Sequence, residues 1–197
     1  NCLGSRNESV VQKTIAELDA HATQMDLMGL PVSPQAKINI HIGGAYGEHD
    51  KALARFCNNF KRLAPSTQAR LTVENDDRQS MFSTKMLYDG VSKHIGVPIV
   101  FDSHHHDLGP QDLDYHDAFH LARQTWAIRG VKQQCHHSNS RKHYEDPSVK
   151  ATAHSDWYYT PFEAYGKDVD VVLECKKKEQ ALFKYREDFQ KKILTAA

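Results

Sequence analysis

Pro98-Ile99-Val100-Phe101-Asp102-Ser103-His104-His105-His106 runs from an apolar stretch straight into a carboxylate and three consecutive imidazoles. The apolar half reads as a buried strand, and the polar half as the loop into which a parallel strand opens. That edge of the sheet is where α/β folds place their chemistry. The rest of the chain repeats the theme on either side.

Upstream, Val11, Ile15, Leu18, Ala22, Met25 and Met28 recur at helical spacing over residues 8–29, with Gly29 as a stop. Residues 36–42 then alternate with period two and end at Gly43-Gly44, placing His41 opposite the isoleucines. A helix over 48–63, a strand over 71–76 and a helix over 81–95 follow. Downstream, a helix is expected over 112–128, closed by Gly130, and a short polar strand over 131–138. A long charged loop passes His154, and its length marks it as functional or mobile. The last strand covers 168–174 and the last helix 181–194.

A leading helix and five strand–helix units call for parallel strands with right-handed crossovers. Gly43-Gly44 is too little to serve as the phosphate loop of a doubly wound sheet. We therefore expect a (β/α)8 TIM barrel, incomplete here, with its first three strands absent and one domain over residues 1–197. Edges exposed in that way should leave the segment unstable alone. The chain opens on Asn1 rather than Met, which fits a piece of something longer.

Lys plus Arg and Asp plus Glu balance at 25 each, so contact with nucleic acid would rest on local patches or bound cations. Cys2, Cys57, Cys135 and Cys175 lack paired zinc spacing, and no signal peptide or long apolar span is present. Reduced thiols in a cytosol-like compartment and no membrane are the expectation.

Each of the five strands ends in a potential metal ligand: His41, Glu74, Asp102 with His105, His136, and Glu174. Three carboxylates converging on one rim repel one another unless cations neutralise them. Imidazole with carboxylate suits zinc, manganese or iron and argues against calcium or magnesium alone. His21, His49, His94, His116, His120 and His143 lie on helices or loops without such convergence and are assigned to surface or packing. His104 and His106 divide evenly between supporting the ligands and packing the loop. Glu74 beside Asn75-Asp76-Asp77 could be a solvated acidic turn, although Leu71 and Val73 place it at a buried strand end. Trp157, Tyr158 and Tyr159 read as packing before they read as a base-stacking platform.

The blocks Ile38–Gly44, Leu71–Asp76, Asp102–His106 and Asp170–Glu179 resemble the signatures of the UV damage endonuclease family, whose members are similar to endonuclease IV. The resemblance runs over nearly all of the chain, and Asn1-Cys2-Leu3-Gly4-Ser5 is similar to the family's loop after the third barrel strand. It implies a multi-metal TIM barrel that nicks double-stranded DNA on the 5′ side of ultraviolet photoproducts. It implies two or three divalent ions, manganese foremost, with zinc, cobalt or magnesium as options. His41 would bind the first ion, and Glu74 would bridge it to the second. Asp102, His136 and Glu174 would complete the second site, and His105 with His154 would serve the third. Glu74, Asp102 and Glu174 would be the catalytic carboxylates.

Arg78, Arg141, Lys142 and Lys176 are the candidate DNA phosphate contacts. Gln134 stands where the family often has a lysine, and the family's first-site histidine and lesion-probing residues would precede Asn1. We expect a monomer, cytoplasmic and nucleoid-associated if bacterial or phage, nuclear if fungal. Two other readings remain at this level: a metal-dependent sugar isomerase or epimerase on a similar barrel, and an inactive fragment.

Overall fold

The computed structural model describes residues 2–190 of the chain. Helix α1 (Glu8–Leu27) begins at Asn7, whose side chain accepts from the Ser9 amide, and buries Val11, Thr14, Leu18 and Ala22. Met28 caps its far end in solvent, outside the buried stripe. Then come β1 (Ile38–Ile40), α2 (His49–Phe60), α3 (Pro65–Arg70) and β2 (Leu71–Glu74). Helix α3 divides what the sequence offered as plain connection, and Pro65 sits in its first turn, where its missing N–H costs nothing. Its last residue, Arg70, is wholly buried and donates to the carbonyls of Leu30 and Ala36 at 2.9 and 3.2 Å and to Asp26.

The helix expected over 81–95 starts later, at Thr84, where the Ser83 hydroxyl accepts from the Met86 amide. It runs as α4 (Thr84–Leu87), a π turn over Tyr88–Ser92, and α5 (Lys93–Ile95). Strand β3 (Ile99–Asp102) leads directly into α6 (Ser103–Leu108), so the three histidines are helical and not a loop. Asp102 causes this by accepting from the His105 amide at 2.8 Å as an N-cap. Helix α7 (Tyr115–Ala127), β4 (Gln134–His137), α8 (Arg141–Tyr144), β5 (Asp170–Leu173) and α9 (Lys178–Tyr185) complete the order, with a π turn over Arg186–Gln190. The expected helix end at Leu194 lies outside the described residues. No helix among the described residues is long and apolar enough to cross a membrane.

The five strands pair in parallel in the order β1-β2-β3-β4-β5. A doubly wound sheet reverses its strand order at the ligand crevice, and this one does not. Ile38, Ile40, Leu71, Val73, Ile99, Phe101 and Cys135 share one face and join the main core with Leu18, Leu53, Phe56, Leu87 and Phe119 from the helices. Asn39, Thr72, Glu74, Asp102 and His136 alternate onto the other face. That face is concave: Lys37, at the start of β1, donates to the side chain of Gln134 on β4, three strand places away. A flat sheet would separate those strands by roughly 14 Å.

Candidate metal centre

Glu74 is the hub. The last residue of β2, it is 4% exposed, and its two carboxylate oxygens face different partners. Oε1 lies 3.1 Å from His105 Nδ1 and 4.0 Å from His41 Nε2. Oε2 lies 3.3 Å from His136 Nδ1 and accepts from Asn39 Nδ2. Asn39 is aimed in turn by Thr72, whose hydroxyl donates to its Oδ1 at 2.9 Å. Two compact groups of donor atoms result, His41–Glu74–His105 and Glu74–Asp102–His136, each with its atoms within 4.8 Å of one another. Glu74 belongs to both.

Asp102 is completely buried, and its Oδ2 has no hydrogen-bond partner. His41 Nδ1 and His136 Nδ1 are likewise buried without a well-aligned partner, although Asp76 Oδ1 lies 3.1 Å from the former. Unpartnered atoms of this kind are costly in a protein's interior, and three in one cluster point to a ligand. The donor set, imidazole with carboxylate, fits a borderline divalent ion.

The electrostatics agree. Burial alone would raise the Glu74 carboxyl, but His105, His136 and His41 outweigh it and hold it far below the ordinary range. Asp102 is pushed up to about 6 by burial, with Glu74 adding to that rise and His105 opposing it. Burial works against protonation of His105, yet Glu74 and Asp102 push it up to about 10. His41 and His136 are raised for the same reason, against their own burial. The carboxylates present a negative field to all three rings, and a divalent ion there would feel the same field.

The other expected residues fall at graded distances. Glu174, just past β5, places Oε1 3.3 Å from His136 Nδ1, at the edge of the second group. His154 stands apart from both groups, its ring 6.3 Å from that of His105 and 5.1 Å from that of His104. His104 and His154 each keep one buried, unpartnered nitrogen. Burial and the nearby His154 and His105 hold His104 down to about 4. His106 packs on Phe101 and Tyr115 instead. Arg78 is exposed and lines a cleft of about 260 Å³ with His41, Asp76 and His105. Arg141 lies 3.8 Å from Glu145 and 3.9 Å from Asp156, while Lys142 and Lys176 are exposed.

The solvated-turn reading of residues 74–77 fails for its first three members, since Glu74, Asn75 and Asp76 are all buried. Asn75 is the residue that sequence reasoning passed over. Its amide donates to the Asp102 carbonyl and accepts from the Asp102 N–H, both at 2.9 Å. Its own carbonyl accepts from His105 Nδ1 at 2.9 Å, which fixes that nitrogen as the protonated one. Gly109 closes the same corner, for a Cβ there would lie 2.0 Å from the Asp76 carbonyl oxygen. Ser103 donates to His137 Nδ1 at 2.7 Å, and His137 Nε2 donates to the Thr160 carbonyl at 2.9 Å. The strand ends are thereby tied to the long loop.

Gln134 also acquires a role. Lys37 donates to its Oε1, so its Nε2 points at His136 Nε2, 3.3 Å away. A neutral His136 then carries its proton on Nδ1, toward Glu74 and Glu174. Lys37→Met should release that amide to turn over and expose the Nδ1 lone pair, and it removes a cation as well. Both effects have one sign, so Mn²⁺ binding by titration calorimetry is expected to tighten by about tenfold. Unchanged or weaker binding would detach Gln134 from the centre.

Residues 1–196 match the family model of UV-endonuclease UvdE. The chain is 32% identical over 188 residues to the UV DNA damage endonuclease of Bacillus pumilus, covering 93% of this chain and 57% of that protein. It is also 32% identical over 188 residues to the UV-damage endonuclease of Schizosaccharomyces pombe, covering 92% of this chain and 31% of that one. Among solved structures it is similar to SacUVDE, with a TM-score of 0.79 and 29% identity over 96% of this chain and 62% of that chain. The chain thus spans between 31% and 62% of the length of these relatives.

Proposed function

Because this chain belongs to the UV-endonuclease UvdE family, we propose that it forms part of a metal-dependent DNA repair endonuclease that nicks the backbone 5′ of ultraviolet photoproducts. The observation that carries the metal half of this reading is the Glu74 carboxylate divided between two donor groups. Its fold is read as one arc of a (β/α)8 barrel, on the strength of the unreversed strand order and the likeness to SacUVDE.

His41, Glu74 and His105 would hold one ion, and Glu74, Asp102, His136 and Glu174 a second, with His154 reserved for a third. Manganese is the first choice, with zinc, cobalt or magnesium as alternatives. Divalent ions there supply an acidified water and neutralise charge on the phosphate. The protein's own contribution is placement: Asn39 sets the roll of the Glu74 carboxylate, and Asn75 locks β3 so that Asp102 and His105 face it. Arg78, beside the His41 cleft, is the phosphate contact best placed to orient the backbone, with Arg141, Lys142 and Lys176 as outlying contacts.

The test is incubation of the full-length enzyme that carries this chain with irradiated and unirradiated plasmid, with and without Mn²⁺. Metal-dependent nicking confined to irradiated DNA is expected, and turnover of aldoses without nicking would favour the sugar isomerase reading instead. Mn²⁺ at about a hundred times its dissociation constant should also stabilise the fold by about 2.7 kcal/mol, a rise of several degrees in Tm. EDTA should reverse it. A Tm indifferent to both would count against the centre.

A further inference from the structure

Helix α7 begins with a second concentration of ligand chemistry, on the outer face and apart from Glu74. Asp114, His116 and Asp117 bring one donor atom each to within 4.8 Å of one another, all on exposed residues. The sequence His116-Asp117-Ala118-Phe119-His120 adds a second imidazole four residues on. Side chains at that spacing stack on one helix face, the arrangement by which paired histidines chelate zinc. The two rings are in fact neighbours, with centroids 4.4 Å apart.

The surroundings favour ligation over packing. His116 Nδ1 lies 3.0 Å from Asp117 Oδ1, and a carboxylate can only accept, so this nitrogen donates and Nε2 keeps its lone pair. This carboxylate–imidazole pairing is the one that orients metal-bound histidines. Asp114 accepts from the Asp117 amide as the helix N-cap, which holds the first turn in register. Tyr165 covers one side, its ring 4.8 Å from that of His116 and 5.7 Å from that of His120.

We propose that His116 and His120, oriented by Asp117 and completed by Asp114 or water, form a separate surface site for a late transition-metal dication of the zinc, nickel or copper class. At an exposed site with no second carboxylate-bridged ion beside it, affinity follows the first-row series and favours nickel, copper and zinc over manganese and magnesium. The site is independent of the nuclease reading.

It is tested by titration calorimetry of the wild type, His116→Ala, His120→Ala and the double variant, with Zn²⁺ and, separately, Mn²⁺. Each single variant should bind one Zn²⁺ fewer than wild type, and the double variant no fewer than either, because one ion is shared. Mn²⁺ binding should be the same in all four, which also certifies folding. Equal Zn²⁺ stoichiometry in all four proteins would overturn the proposal. So would additive losses, or a loss of Mn²⁺ binding together with Zn²⁺.

Discussion

Glu74→Gln is expected to lower nicking of irradiated DNA by about 10³-fold or more, a loss at the upper end for removal of one electrostatic group at a reacting centre. The substitution keeps the shape of the side chain and an oxygen that can accept from Asn39. It removes the only carboxylate that both donor groups share. His105 and His136 lose the negative partner that now outweighs their burial. Metal content should fall with activity while the circular dichroism spectrum stays that of the wild type. Glu174→Gln, at the edge of the second group and partly exposed, should give a smaller loss of the same kind. Wild-type nicking by Glu74→Gln would sink the metal scheme.

The largest effect on stability is expected at Asn75. Beyond Glu74 the pairing of β2 with β3 ends, and the Asn75 side chain takes over as the next rung, serving both the N–H and the C=O of Asp102. Asn75→Ala leaves the buried Asp102 N–H without a partner, while the Asp102 C=O keeps its bond from the first turn of α6, a loss of about 1–3 kcal/mol. Thermal denaturation should show a Tm lower by roughly 3–10 °C. Asn75→Asp can still accept from the Asp102 N–H but cannot donate to its carbonyl. Its oxygen there would also repel Asp102, so it should not rescue the loss. A Tm within a degree or two of wild type for Asn75→Ala would mean that the rung is dispensable.

Much of this architecture is legible in the residues themselves. The two-residue alternation at Ile38-Asn39-Ile40-His41 and the four-residue recurrence through Phe56 and Phe60 come directly from which side of each element is buried. Because an inward residue at the end of each parallel strand must face the same cavity, the gathering of Glu74, Asp102 and His136 followed from the strand assignment. What escaped depends on bonds that sequence spacing does not encode. Asp102 is at once a strand terminus and a helix cap, and only the second role turns His104–His106 into a helix. The π turn at Tyr88–Ser92 and the short α3 are similarly local decisions. His154, which the family resemblance pairs with His105 at a third ion, arrives on a long loop whose path spacing does not encode, and its ring lies 6.3 Å from that of His105.

Strand order that never reverses has a consequence for biosynthesis. As the chain leaves the ribosome, each new strand finds its sheet partner already made, and no segment has to wait for a distant one. His41 and Glu74 are therefore positioned first, Asp102 and His105 next, and His136 and Glu174 last. A nascent chain stalled after α6 would already own all of His41–Glu74–His105 and two of the three members of Glu74–Asp102–His136, so most of the cluster is assembled before β4 is made.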